Sequence, residues 1–147
     1  MRYYPIFLDL KGRRVVVVGG GNVAQRKAAA LLKAGAHVTV ISPNITRRLA
    51  AWISRKKITH IRRPYRDGDL DRAAIAFTAT DNGEVNQAVA READQKKIWI
   101  NVADQSVPGD FIVPALFTRR GLMVAVSTGG KDPGLAKKIR DELRKGS

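Results

Sequence analysis

Six residues that follow an apolar run have types and spacing suited to binding a phosphate-containing ligand. They span Gly19–Ala24, read GGGNVA and match the pattern G-x-G-x-x-A. Gly19 would permit a tight exit from a strand, Gly21 would let a pyrophosphate approach the backbone, and Ala24 would let a helix lie close to a sheet. Free N–H groups at the start of that helix attract phosphates. The pattern therefore predicts dinucleotide binding, with a purely structural strand-to-helix turn as the alternative.

The segments around this turn have the order of a βαβ unit. Arg13–Val18 is a β-branched run typical of a buried strand, and Asn22–Ala34 has apolar residues at helical spacing. A second strand is predicted at His37–Ile41. Further elements are predicted at Ile45–Ile53 (helix), Lys57–Ile61 (strand), Ala74–Thr78 (strand), Glu84–Ala93 (helix) and Ile98–Val102 (strand). This alternation predicts an α/β fold, a Rossmann-like parallel sheet with helices on both faces.

The pattern changes after Asp104. Two apolar runs flank Arg119–Gly121, which is typical of a β-hairpin, and Asp132–Lys145 has the cap, early proline and apolar stripe of an amphipathic helix. We therefore expect a dinucleotide-binding domain at residues 1–105 and a hairpin-plus-helix region at residues 106–147. The second region is too small to bury its own core, so we expect it to pack on the first lobe or on a second subunit.

The end of the second predicted strand leaves the choice of coenzyme open. An acidic residue at this point usually binds the adenine ribose, but the sequence here is Ser42-Pro43-Asn44. Ser42 and Asn44 are weaker hydrogen-bonding candidates for the ribose. Arg47 and Arg48, just beyond, are candidates for the 2′-phosphate of NADP. The residues at the end of this strand are therefore compatible with either NAD or NADP.

Two polar stretches follow the fourth and fifth predicted strands, where ligands bind in parallel sheets. The second stretch places Asp104 at a position suited to a catalytic carboxylate, and a turn residue is an equal alternative. For Asp81, in the first stretch, the role of a turn or cap residue is favoured. His37 and His60 are expected to be structural. The sequence shows no nucleophile–base pair and no cluster with metal-ligand spacing.

The amino-acid composition indicates what kind of partner the protein binds and excludes some kinds of chemistry. The 147 residues include 27 basic and 13 acidic ones, giving a net charge of +14, and the segment Ile45–Arg66 holds eight basic residues and no acid. Such an excess implies an anionic partner or a solvated basic face. There are no cysteines, which excludes disulfides and thiol chemistry. With no signal peptide and no membrane span, a cytoplasmic protein without a membrane partner is expected.

Four motifs together resemble one enzyme family. The stretches GGGNVAQRK, ATDNGEVN, NVADQSVPGDF and VAVSTGGKDPG look like the precorrin-2 dehydrogenase/sirohydrochlorin ferrochelatase domain of sirohaem biosynthesis, and the likeness runs from about Tyr4 to Arg140. The resemblance implies NAD-dependent oxidation of precorrin-2, a polycarboxylate, to sirohydrochlorin. Some members also insert Fe²⁺, which would then be a second substrate. It further implies a homodimer formed through residues 106–147.

The resemblance also assigns site residues. It implies that Asp104 is the catalytic carboxylate. With the ribose candidate Ser42 included, the residues expected to bind the coenzyme are Gly19, Gly20, Gly21, Asn22, Val23, Ser42, Pro43, Asn44, Thr80, Asp81, Asn101 and Val102. Those expected to bind the tetrapyrrole are Ser127, Thr128, Gly129 and Gly130. No resident metal is expected.

A competing hypothesis is a non-catalytic basic Rossmann-like module that binds nucleic acid or senses a nicotinamide coenzyme. The net charge favours it. Against nucleic acid, aromatic residues are only 6% of the chain and do not interleave with the basic run, so no stacking platform for single strands is evident. No helix-turn-helix or zinc-finger signature is present. We therefore expect the enzyme, without a nucleic-acid partner.

Overall fold

The alternating strands and helices form the predicted parallel sheet. In the computed structural model, which describes residues 2–103 and 107–146, the elements are β1 (Arg14–Val18), α1 (Asn22–Lys33), β2 (His37–Ile41), α2 (Arg47–Ser54), β3 (Thr59–Ile61), β4 (Ile75–Thr78), α3 (Gly83–Gln95), β5 (Trp99–Val102), β6 (Ala115–Arg119), β7 (Leu122–Val126) and α4 (Pro133–Lys145). The first five strands pair in parallel in the order β3-β2-β1-β4-β5. The predicted fold class is thereby confirmed.

The apolar run of β1 forms the centre of this sheet. Residues Val15 to Val18 are almost fully buried, because β1 has a neighbouring strand on each side and successive side chains face opposite sides of the sheet. Val16 and Val18 share a core with Val89 of α3. Helix α1 contacts β1 and β2 through its buried small face, which includes Ala24 and Ala28. Both helices thus pack directly on the sheet whose strand ends carry the turns of the site.

Most element boundaries lie within one or two residues of the prediction, and two of the differences, at the starts of α2 and β3, have clear local causes. Helix α2 begins at Arg47 because the Thr46 side chain accepts a hydrogen bond from the Leu49 N–H and so caps it. Strand β3 begins at Thr59 rather than Lys57. The Lys57 N–H donates to the carbonyl of Trp52, which ties Lys57 to the end of α2.

The chain forms two compact units. One spans Phe7–Asp110 and contains the five-stranded sheet; the other combines the segment up to Ile6 with Phe111 onward. The second unit has an antiparallel hairpin of β6 and β7, and α4 contacts both strands. Asp132 caps α4 by accepting from the Leu135 N–H at 2.8 Å. Within the described parts of the chain, no helix is long and apolar enough to cross a membrane.

Candidate functional site

The glycine turn follows β1 at the carboxyl edge of the sheet. At this point the strand order reverses, because the strands after β1 are added first on one side of it and then on the other. β1 lies between β2 and β4, so the chain crosses to opposite sides at this point, and such a position commonly binds ligands. The Gly19 N–H donates to the Ile41 carbonyl at 2.9 Å, and Gly19 has φ +126°. A Cβ on Gly19 would lie 2.3 Å from the Ala79 carbonyl oxygen, so the turn after β4 passes directly beside it.

The turn after β2 is held against the glycine turn. The Ser42 hydroxyl donates to the Asn44 carbonyl at 2.7 Å, and the Thr46 N–H donates to the Gly20 carbonyl at 3.0 Å. Ser42 is buried, whereas Pro43 and Asn44 are exposed. The Ser42 hydroxyl therefore stabilises the turn by a hydrogen bond, and the exposed Asn44 side chain is accessible to a ligand.

The turn after β4 is fixed by the last residue of its motif. Asn86 is buried, accepts from the Thr80 hydroxyl at 2.8 Å and donates to the Thr80 carbonyl at 3.0 Å. Asn82 caps α3 by accepting from the N–H groups of Glu84 and Val85. The cap is thus Asn82 and not the neighbouring Asp81, whose exposed side chain remains available at the edge.

These three turns enclose one cleft of about 470 Å³. Ten of the predicted coenzyme residues line it: Gly19, Gly20, Gly21, Asn22, Val23, Ser42, Pro43, Asn44, Thr80 and Asp81. Seven other lining residues were not predicted from the sequence, namely Val18, Ile41, Pro64, Tyr65, Ala79, Asn82 and Val85. Tyr65 in particular follows β3 through an irregular segment, and no pattern in the sequence indicates where that segment returns. The predicted residues Asn101 and Val102 do not line this cleft.

The first turn of α1 provides the binding groups that a dinucleotide requires. Gly21 precedes the helix, and no side chain caps its first N–H groups, whereas α2, α3 and α4 each have a side-chain cap. A Cβ on Gly21 would meet no atom within 4 Å, so the approach to the backbone is open. The arrangement fits a pyrophosphate, with open glycine backbone and free N–H donors at a helix start.

Strand β5 carries Asn101 next to a lysine from α1. The Lys27 ammonium donates to Asn101 Oδ1 at 2.5 Å and lies 5.1 Å from the centroid of the Phe77 ring. Burial, followed by the nearby charge of Arg26, lowers the pKa of Lys27 to about 8. Among the residues that the structure describes, no carboxylate forms an ion pair with Lys27. The lysine is therefore a partly buried cation that no acid in residues 2–103 and 107–146 neutralises.

The segment after β5 returns along the same strand. The Asp110 carboxylate accepts from the Ile100 N–H at 2.8 Å, and the Asp110 N–H donates to the Ile100 carbonyl at 2.8 Å. Ala103 donates to the Thr78 carbonyl, which ties the start of the segment to β4. Asp104, the predicted catalytic residue, lies outside the described residues.

The predicted tetrapyrrole residues form a tight turn in the second unit. The Gly129 N–H donates to the Ser127 hydroxyl, and the Thr128 hydroxyl bonds both the N–H and the carbonyl of Asp132. Gly129 and Gly130 both have positive φ, at 68° and 83°. The turn is therefore a well-defined local structure that leads into α4. No cluster of three or more His, Cys, Asp or Glu residues suited to a metal occurs in residues 2–103 and 107–146.

His60 and His37 have the structural positions that were expected for them. His60 Nε2 lies 2.9 Å from the Ser42 carbonyl oxygen, and His37 begins β2 with its N–H donating to the Arg13 carbonyl. Neither lines the cleft between the three turns.

Comparisons with known proteins identify the family to which this chain belongs. A family model described as "Putative NAD(P)-binding" matches residues 6–115. A solved structure described as SirC, precorrin-2 dehydrogenase, superposes with a TM-score of 0.87 at 34% identity, over 99% of this chain and 71% of that one. The siroheme synthases of Methylobacillus flagellatus and Photobacterium profundum are each 43% identical over 97% of this chain.

The chain spans only 31% and 30% of the lengths of these two siroheme synthases. The match to SirC, by contrast, covers most of both chains, and the family model covers the whole parallel sheet. The chain therefore belongs to the NAD(P)-binding precorrin-2 dehydrogenase family whose motifs it carries.

Proposed function

We propose that this protein oxidises precorrin-2 to sirohydrochlorin with NAD⁺ as the hydride acceptor. The observation that carries the proposal is the open approach to Gly21 beside the uncapped first turn of α1, inside the cleft of the three turns. That geometry suits a dinucleotide, and the similar structure is named as a precorrin-2 dehydrogenase. The proposal includes a cytoplasmic location, where nicotinamide coenzymes are available.

In this proposal the chain orients the coenzyme and removes a proton. A bound nicotinamide would supply the acceptor for a hydride, that is, for one proton and two electrons from the substrate. The Gly19–Val23 turn binds the pyrophosphate through backbone N–H groups, and Asn44 reaches the ribose. Asp104 accepts the proton that the substrate loses when the hydride leaves. Asn101 and Val102, at the end of β5 and close in sequence to Asp104, are proposed to bind the coenzyme as the sequence predicts.

Binding of the tetrapyrrole substrate is proposed to involve the positive net charge of the chain and residues of the second unit. A net charge of +14 favours association with a polycarboxylate. The Ser127–Gly130 turn is proposed to contact the tetrapyrrole. We further propose that residues 106–147 form a homodimer, because the second unit exposes Leu122, Met123 and Leu143 to between 48% and 70%.

Insertion of Fe²⁺ into sirohydrochlorin is a separable part of the proposal. The resemblance of the four motifs to the bifunctional family supports it. In that step Fe²⁺ is a substrate, and Asp104 would accept protons from the pyrrole nitrogens. A basic module that binds nucleic acid is the competing function, which the net charge alone favours.

The experiment is anaerobic incubation of the purified protein with fresh precorrin-2 and NAD⁺, following the absorbance of sirohydrochlorin. Parallel reactions contain NADP⁺ instead of NAD⁺, and Fe²⁺ is then added to test chelation. Product formation with NAD⁺ is expected. Absence of product although NAD⁺ binds would contradict the dehydrogenase, and salt-dependent binding of DNA without NAD⁺ binding would favour the competing function.

A further inference from the structure

A fully buried carboxylate organises one wall of the coenzyme cleft. Glu92 of α3 is 1% exposed and accepts hydrogen bonds from the Tyr65 hydroxyl, from the Gly68 N–H at 3.0 Å and from the Leu70 N–H at 3.2 Å. The Lys96 ammonium, one helical turn further on, donates to it at 2.6 Å. A buried carboxylate with four donors is fully satisfied, so it can hold the segment of its donors rigidly.

A second carboxylate fixes the same segment from its other side. Asp69 accepts two bonds of 2.7 Å from the Arg63 guanidinium and one of 2.8 Å from the Arg66 N–H. Residues 63–70 are therefore held at both ends, although they form no helix or strand.

The residue that this segment presents to the cleft is Tyr65. Tyr65 is partly buried and packs against the core cluster, and it lines the cleft together with Pro64 and Val85. Burial, and then the hydrogen bond to Glu92, raise the pKa of the Tyr65 hydroxyl, which therefore stays a neutral donor. Because the hydroxyl is bonded to the buried Glu92, the ring is the part of Tyr65 left to contact a ligand in the cleft.

Topology places Tyr65 beside the adenosine half of a dinucleotide. In such folds the residues at the end of the second strand bind the adenine ribose. Tyr65 follows β3, which is the neighbour of β2 on the side away from β1. The nicotinamide half would extend in the other direction, toward β4 and β5.

We propose that Tyr65 is the adenine-contacting residue of this site and that Glu92 is a positioning residue that holds its ring in place. The inference rests on the proposed function only in requiring that a dinucleotide binds in the cleft. An aromatic ring fixed at one end by a hydrogen bond offers a flat apolar surface on which an adenine can stack.

The test is calorimetric binding of ADP-ribose to the full chain and to three variants, with NMN binding followed by ligand-observed NMR. Tyr65→Ala removes the ring, Tyr65→Phe removes only the hydroxyl, and Glu92→Gln removes the anchoring charge. We expect Tyr65→Ala to weaken ADP-ribose binding by about tenfold or more, because base–aromatic stacking contributes on that scale. Tyr65→Phe and Glu92→Gln are expected to weaken it about threefold, the scale of one hydrogen bond. NMN binding should not change.

Lys97→Met is the matched control. Lys97 is an exposed neighbouring lysine that pairs with Asp94 and not with Glu92, so its loss removes one positive charge from the same helix end while the affinity for ADP-ribose is kept. Unchanged ADP-ribose affinity in Tyr65→Ala, or an equal loss for NMN, overturns the assignment of Tyr65. Unchanged affinity in Tyr65→Phe overturns the positioning role, even where Glu92→Gln fails to fold. If the wild-type chain binds neither ADP-ribose nor NAD⁺, the proposed function itself fails.

Discussion

The α-carbon of Gly20 lies so close to the main chain of Asn44 that a Cβ on Gly20 would sit 1.9 Å from the Asn44 carbonyl oxygen. The two residues belong to the turns that follow β1 and β2, and the Thr46 N–H bonds the Gly20 carbonyl beside them. The mutual position of these turns therefore depends on the absence of a side chain at Gly20. A Cβ on the neighbouring Gly21, by contrast, would meet no atom within 4 Å.

Alanine at these two glycines should separate folding from coenzyme binding. Gly20→Ala forces the β2 turn away and should lower the free energy of unfolding by roughly 1–3 kcal/mol. Gly21→Ala meets no protein atom, so stability should be unchanged, while the new methyl group obstructs the pyrophosphate and weakens NAD⁺ binding. Urea unfolding and calorimetry measure the two effects. Wild-type NAD⁺ affinity in Gly21→Ala would argue that the pyrophosphate binds elsewhere.

The exposed side chain of Asn44 offers a test of coenzyme choice. Asn44→Asp would supply the carboxylate that usually binds the ribose hydroxyls and would repel a 2′-phosphate. We expect the ratio of NADP⁺ to NAD⁺ dissociation constants to rise about tenfold, which corresponds to about 1.4 kcal/mol. Arg47→Gln is a companion variant that should weaken only NADP⁺. An unchanged ratio in Asn44→Asp would mean that the ribose does not reach this turn.

Removal of the proposed proton acceptor should affect turnover and not coenzyme binding. Asp104→Asn keeps the size of the side chain but cannot accept the proton, so the rate of sirohydrochlorin formation should fall by about 10²–10⁴-fold. The dissociation constant of NAD⁺ should stay at its wild-type value. Asp81→Asn, a change in an exposed carboxylate that lines the cleft, is the comparison. Full activity of Asp104→Asn would remove this residue from the mechanism.

Lys27 should make stability depend on pH in the alkaline range. Its pKa is lowered from 10.5 to about 8 in the folded chain. Between these values the unfolded chain binds more protons than the folded one, so the contribution of Lys27 to stability increases as pH rises through this window. Below pH 8 both states are protonated and the burial penalty on the folded state is complete. Lys27→Met should therefore abolish a rise of the order of 1–3 kcal/mol between pH 7 and 10.5.

The measurement is urea unfolding at several pH values for wild type, Lys27→Met and Lys33→Met. Lys33 lies on the same helix and is exposed, so its variant controls for the general loss of a positive charge. Parallel pH dependences in all three proteins would contradict the pKa assigned to Lys27.

The parts of the fold that were predictable are those whose signals are local. The β1 run of valines, the glycine turn and the α1 periodicity lie next to one another in the chain, so pattern alone located them to within a residue or two. The same applies to the α4 cap at Asp132. The start of α2 was predicted two residues too early, at the apolar Ile45, because the pattern of apolar residues does not show that Thr46 is the N-cap.

The parts of the site that escaped prediction depend on contacts between distant residues. Tyr65 and Glu92 are 27 positions apart, and Lys27 and Asn101 are 74 apart. Nothing near Tyr65 indicates an aromatic wall, because the segment has neither strand nor helix periodicity. Glu92 resembles any polar helix residue in the sequence, and only the packing of α3 shows that it is buried.

If the coenzyme binds at the uncapped start of α1 as proposed, the lifetime of the protein would depend on the supply of that coenzyme. A ligand that supplies the missing acceptors binds the folded chain and not the unfolded one, so it adds stability that grows with the logarithm of its concentration. Proteases that cleave opened chains would therefore remove the protein faster when the pool of its coenzyme is depleted. By this route a cell short of nicotinamide dinucleotide would lose the enzyme as well as its oxidant.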